Sequence, residues 1–259
     1  MALWLCLFLA LFLPSLCLAA DVYAAVAANF LEPARVLAVA FQHRSGHVVH
    51  LSSGSTAGLY AQISHGAPFD VLLAADERTP AWLVEEGWAR EGSRFTYAVG
   101  TLVMWSADAA RIRGACQAVL RAADYRHVAI ANPAVAPYGA AAKGALQSWG
   151  LWASVEPRLL RGESVAQAFQ FVATGNAELG FVAGSQVVRL PKGQAGSLCI
   201  VDRAAYPPLR QQAVLLKHGE GNAAARAFLA YLRSGNARMV IAGFGYSVTD
   251  ESQSKRRPP

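Results

Sequence analysis

The stretch Val22-Tyr23-Ala24-Ala25-Val26-Ala27-Ala28-Asn29-Phe30-Leu31-Glu32-Pro33 decides the fold. Its apolar run at 22–26 has the length and β-branched content of a buried strand. The run ends in a small junction, Ala27-Ala28-Asn29, and Pro33 then stands in the first turn of a helix expected over 33–44. The same order recurs along the chain. A strand at 48–51 leads through Ser52-Ser53-Gly54-Ser55-Thr56 to a helix at 58–64. A strand at 127–130 leads through Ala131-Asn132-Pro133 and Ala136-Pro137-Tyr138-Gly139 to a helix at 139–149. A short run at 158–160 leads through Gly162-Glu163-Ser164 to a helix at 165–174. Further strands are expected at 71–74, 102–105, 179–182 and 213–216, and further helices at 80–86 and 223–234. Strands alternating with helices indicate βαβ units and a largely parallel sheet. Gly46, Gly66, Gly150, Gly175 and Gly235 are expected to close helices, since glycine accepts left-handed geometry.

The junctions carry the functional signal. In open α/β sheets they emerge together at the carboxyl ends of the strands, where ligands bind. A helix start presents unpaired N–H groups and the positive end of the helix dipole. Several converging on one point make an anion site without Lys or Arg. Any one junction reads as ordinary capping by Ser, Thr or Asn; four of them in one chain suggest more.

Composition bounds the remaining possibilities. With 54% hydrophobic and 15% charged residues, the chain suits a compact globular protein rather than a disordered one. The formal charge is +6, but Lys255, Arg256 and Arg257 fall in the tail 251–259, which is expected to be unstructured. The mild excess on the body makes nucleic acid a poor partner and favours small anions. Residues 1–20 are almost wholly apolar, break at Pro14-Ser15 and end in Ala19-Ala20 before the first charge, Asp21. That is the pattern of a secretory signal, although no Lys or Arg precedes the apolar run. The roughly 239 residues that follow suffice for one large or two modest cores. Cys6 and Cys17 leave with the signal, and the sequence leaves open whether Cys116 and Cys199 pair.

Other chemistries find less support. Gly54-Ser55-Thr56-Ala57-Gly58 resembles a nucleophile elbow with Thr at its centre, and the one late histidine for a hydrolase, His218, lies in a polar turn. His43, His47 and His50 are close in sequence, but Gly46 breaks the helix between the first two, so a metal site is disfavoured. Asp70 and Asp76 flank an apolar strand and would lie about 20 Å apart if it is extended. They read as capping or packing residues rather than an acid pair.

Taken in order, the junctions also resemble a known family, the periplasmic molybdate-binding proteins of ABC transporters. The resemblance rests on Ala27-Ala28-Asn29-Phe30, Gly54-Ser55-Thr56-Ala57-Gly58, Gln62-Ile63-Ser64-His65-Gly66-Ala67-Pro68 and Phe69-Asp70-Val71-Leu72-Leu73-Ala74-Ala75-Asp76. It continues through Ile130-Ala131-Asn132-Pro133, Pro137-Tyr138-Gly139, 165–172, 175–182 and Gly243-Phe244-Gly245-Tyr246. It implies a type II periplasmic-binding-protein fold of two α/β lobes with mainly parallel sheets, joined by two crossover strands. The lobes are then expected at 21–100 plus 205–250 and at 101–204. The implied ligand is molybdate, and tungstate with it, held as an oxyanion with no protein–metal bond and no cofactor. The alternatives are another tetrahedral oxyanion such as sulfate, or, from a different class, a Ser/Thr hydrolase. The implied partners are a membrane permease and an ATPase, and the expected state is a periplasmic monomer.

Carried over by position, the expected ligand-binding residues are Asn29, through side chain and backbone, Thr56 through its hydroxyl, and Tyr138, Val165 and Ala28 through main-chain N–H groups. The chain departs from the pattern at Ala183, where many relatives have a tyrosine hydroxyl.

Overall fold

A computed structural model describes residues 20–248. The expected signal, apart from Ala20, and the expected tail at 251–259 lie outside the described residues. Ten strands are described: β1 Asp21–Ala27, β2 Val48–Gly54, β3 Val71–Leu73, β4 Phe95–Gly100, β5 Leu102–Ser106, β6 Val128–Ala131, β7 Leu159–Gly162, β8 Leu179–Ala183, β9 Ser197–Ile200 and β10 Leu209–Leu215. The α-helices are α1 Leu31–Ser45, α2 Thr56–Ser64, α3 Arg78–Glu85, α4 Cys116–Ala122, α5 Pro137–Ser148, α6 Trp152–Val155, α7 Val165–Ala173, α8 Gly184–Val187, α9 Ala223–Leu232 and α10 Gly235–Gly243. None of the described helices is long and apolar enough to cross a membrane.

The strands form two five-stranded sheets, in the orders β2-β1-β3-β10-β4 and β7-β6-β8-β5-β9. The fold is therefore two α/β lobes. Where the sequence suggests mainly parallel sheets, each sheet is mixed. β1 pairs parallel with β2 and β3, while β10 runs antiparallel to β3 and β4. β6 pairs parallel with β7 and β8, while β5 runs antiparallel to β8 and β9. The antiparallel pairings come from strands that carry the chain between lobes. β4 ends at Gly100 in one sheet and β5 begins at Leu102 in the other, so Thr101 alone spans the gap. The return runs from β9 to β10 past Pro207-Pro208, and the Leu102 N–H donates to the Tyr206 hydroxyl at 3.1 Å, tying the two passages together.

Several inner strands are almost wholly apolar because helices cover both faces. β3, β5, β6 and β8 are buried along their whole length. Successive residues face opposite layers: Leu102 and Met104 join one core and Val103 and Trp105 another, as a two-residue period requires. Asp70, 2% exposed, is a structural joint, accepting from the Tyr23 N–H at 2.8 Å and the Asn222 amide at 3.2 Å, with His218 at 3.0 Å. Gly46, Gly66, Gly150 and Gly175 have positive φ at helix ends, as expected. Gly235 does not. It opens α10, because Ser234 accepts the Ala237 N–H at 3.2 Å and caps a second helix directly after α9.

Cys116 of α4 and Cys199 of β9 form a disulfide, with their Cα atoms 5.6 Å apart. It fastens an edge strand across a sequence separation of 83 residues. Replacing both cysteines with alanine should lower unfolding free energy by about 2–4 kcal/mol. Urea denaturation checks this; an unchanged midpoint would mean that the cross-link constrains nothing the sheet does not already hold.

Candidate functional site

The carboxyl ends of β1, β2, β3, β6 and β7 converge on one cavity between the lobes. Its wall is built from Ala27, Ala28 and Asn29 after β1, Gly54-Ser55-Thr56 after β2, Ala75 after β3, Ala136-Pro137-Tyr138 after β6 and Ser164-Val165 after β7. All five residues singled out from the sequence, Ala28, Asn29, Thr56, Tyr138 and Val165, are therefore brought together. No Lys, Arg, Asp or Glu lines the cavity. The cavity is small, about 10 Å³, and open on one side.

What the wall offers is donors. Tyr138 and Val165 occupy the first turns of α5 and α7, where the carbonyl that would pair with each N–H lies before the helix begins. Glycine makes the α5 approach possible: a Cβ on Gly139 would sit 2.2 Å from the Ala131 carbonyl oxygen. Thr56 is 2% exposed, and its hydroxyl oxygen accepts the Ala75 N–H at 3.2 Å, which leaves the hydroxyl proton to donate.

Two hydroxyls were missed in the sequence reading. Ser55 accepts the Gly58 N–H at 3.4 Å and Ser164 accepts the Gln167 N–H at 3.3 Å; each keeps its own proton while lining the cavity. The signal that could have found them is the capping itself. A serine whose oxygen accepts inside the helix has its proton to offer outside it.

Asn29 differs from expectation. Its side-chain N–H₂ faces away from any ligand role, donating to Gln211 Oε1 at 2.8 Å and to the Tyr246 hydroxyl at 2.9 Å. Only its backbone remains as a donor towards the cavity. Its carbonyl accepts from Ser185 Oγ at 2.9 Å, and Tyr246 lies 3.0 Å from that Ser185 oxygen. Ala183 is fully buried and does not line the cavity; its N–H donates to Gln186 Oε1 at 3.0 Å. Gln186 in turn donates to the Val165 carbonyl at 3.3 Å, which braces the start of α7.

Behind the wall lies a dry layer of phenols. Burial pushes the Tyr246 hydroxyl up to about 12 and raises Tyr97 and Tyr138 well above the ordinary tyrosine value. All three stay neutral at physiological pH, so the surroundings add hydrogen bonds and no charge.

Residues 22–247 match the family model for bacterial extracellular solute-binding proteins. The chain belongs to that family. Among its relatives, the molybdate-binding protein ModA of Rhodobacter capsulatus is 49% identical over 230 residues, covering 88% of each chain. The ModA of Azotobacter vinelandii is 50% identical over 230 residues, covering 89% of this chain and 91% of the relative. The solved Azotobacter vinelandii periplasmic molybdate-binding protein superposes with a TM-score of 0.84 at 38% identity, over 88% of this chain and all of that one.

The residues behind the rival chemistries lie away from the cavity. His218 is engaged with Asp70 and lines a different hollow with Ile63 and Trp88. His47 accepts the Ala20 N–H at 3.1 Å and His50 stacks on Tyr23; no group of three metal-ligating side chains is found among the described residues. Asp76 caps α3 through the Thr79 N–H at 2.9 Å.

Two outcomes follow from this geometry. Val165→Pro deletes the N–H at a first helical position, where proline is tolerated, and the extended Ser164 before it suits proline as well. Ligand affinity should fall by about 1.5–3 kcal/mol, the loss of a bond to a charged group, while the melting temperature hardly changes. Val165→Ala should bind as the unaltered protein does; titration calorimetry on both separates a backbone donor from side-chain packing. The second outcome concerns alkali. Phenol pKa values raised above the unfolded value of about 10 mean that the folded state holds these protons more tightly. Their contribution is complete below pH 10 and is lost as pH rises through about 12 for Tyr246. Denaturation midpoints across that window should fall, and Tyr246→Phe should flatten the fall.

Proposed function

We propose that this protein captures molybdate, and tungstate with it, outside the cytoplasmic membrane and delivers it to an ABC-type importer. The observation that carries the reading is a small, charge-free cavity walled by helix-start N–H groups and hydroxyls from both lobes. Its relatives at half identity are molybdate-binding proteins. The donors are the N–H groups of Ala28, Asn29, Tyr138 and Val165 and the hydroxyl of Thr56, with Ser55 and Ser164 added. A dianion stripped of water meets converging dipoles and helix N-termini in place of a counter-ion. The bound oxyanion keeps its own oxygens, so no side chain ligates the metal directly and no cofactor takes part.

Capture is by closure. The lobes, 21–100 with 205–250 and 101–204, turn about the two passages near Thr101 and Pro207-Pro208, and the anion bridges the two half-sites. The cargo leaves as it entered, so the protein is a carrier and not an enzyme. The segment 1–20 directs export to the periplasm, and the closed monomer docks on a membrane permease powered by an ATPase.

A thermal-shift panel with molybdate, tungstate, chromate, sulfate and phosphate tests the reading. Molybdate and tungstate at about 100-fold above their dissociation constant should raise the melting temperature by about 5–10 °C. Equal stabilisation by sulfate would reassign the cargo to tetrahedral dianions in general. No response to any of the five would remove the oxyanion reading altogether.

A further inference from the structure

Tyr138 is rooted in one lobe and its phenol is seated in the other. It belongs to the first turn of α5, which follows β6, yet it is only 2% exposed and its hydroxyl accepts from Gln211 Nε2 of β10 at 3.2 Å. Gln211 is fully buried, and its Oε1 accepts from Asn29 Nδ2 at 2.8 Å and from the Tyr97 hydroxyl at 3.1 Å. The phenol thus supplies the acceptor for the far end of an amide whose near end orients Asn29. Without it, a buried N–H₂ group would lose a partner, which is costly away from water.

The seat for this phenol is shaped by Gly100, the last residue of β4 before the chain passes between lobes. A Cβ on Gly100 would lie 2.1 Å from the Tyr138 hydroxyl oxygen, 2.7 Å from Gln211 Nε2 and 3.0 Å from Tyr138 Cζ. Gly100 is not among the positive-φ glycines, so its backbone would accept alanine. What requires glycine here is room for the phenol. Further bonds cross the cleft beside it, among them the Ala57 N–H to the Val135 carbonyl at 3.1 Å, Ser185 Oγ to the Asn29 carbonyl at 2.9 Å and the Tyr246 hydroxyl to Ser185 Oγ at 3.0 Å.

We propose that the Tyr138 phenol is an interlobe latch, seated against Gly100 and Gln211, that holds a fraction of the ligand-free protein closed and so sets affinity through that fraction. This rests on the reading of the cavity as an oxyanion site only where affinity is concerned. Tyr138 then has two separable parts. Its backbone N–H faces the ligand, and its side chain positions the lobes. A ligand that binds the closed form gains affinity in proportion to how much of that form already exists.

The experiment measures distances between two spin labels, one on α1 and one on α6, in the full-length mature chain without ligand and with molybdate. The variants are Tyr138→Phe, Gly100→Ala and the double variant Gly100→Ala with Tyr138→Ala, each first checked for an unchanged circular dichroism spectrum. The ligand-free protein should show a closed population that shrinks in Tyr138→Phe, with affinity about threefold to tenfold weaker. Gly100→Ala should abolish the closed population, and the double variant should regain part of it because the clashing ring is gone. Two results would overturn the latch: a ligand-free protein with only the open distance, or Tyr138→Phe losing affinity with its ligand-free distances unchanged. The last would make the hydroxyl a ligand contact instead. Because the decisive distances are read without ligand, a failure of molybdate to bind leaves the test of the latch standing.

Discussion

Backbone N–H groups at helix starts cannot be left dry and unpaired, and the rest of this structure follows from that constraint. The first turns of α5 and α7, with the junctions after β1 and β2, bring such groups to the wall of one small cavity. Buried without an acceptor, each would cost about 1–3 kcal/mol. With an acceptor they become a site. The guest must therefore be rich in lone pairs and able to accept from several directions at once. A tetrahedral oxyanion meets both demands.

Neutral donors suit this task better than a lysine or arginine would. A buried cation would itself need desolvation whenever the lobes closed without cargo, whereas amides and hydroxyls carry a far smaller penalty. The phenols of Tyr97, Tyr138 and Tyr246 extend the same logic outward. They are buried, uncharged and bonded through Gln211, Asn29 and Ser185, so the wall is braced by hydrogen bonds alone. Two of those bonds, Gln211 to Tyr138 and Tyr246 to Ser185, join the lobes.

Much of the site was legible because helix starts announce themselves. Ser-Thr after β2, Pro-Tyr-Gly after β6 and Ser-Val after β7 are local signals, readable from residue type and position. The side chain of Asn29 was not. An asparagine beside a helix start can face ligand or core, and only the presence of Gln211 and Tyr246, 182 and 217 residues away in sequence, turns it inward. Ala183 brings no side-chain donor and does not line the cavity; its N–H donates to Gln186, whose own amide braces α7. The β4 strand and its pairing with β10 also escaped the sequence reading, since a partner so remote leaves no periodic trace.

By itself the sequence determined the alternation of strands and helices, the capped junctions, and so the α/β class with donors gathered at one end of each sheet. These are local matters, settled within a few residues by capping chemistry, apolar runs and the placement of proline and glycine. Tertiary structure alone decided that half the strand pairings are antiparallel, that Cys116 meets Cys199, and that the Tyr138 phenol crosses the cleft to Gln211. Each of those depends on residues far apart in sequence arriving at one place, and which distant partners meet is fixed by how the two sheets pack and close.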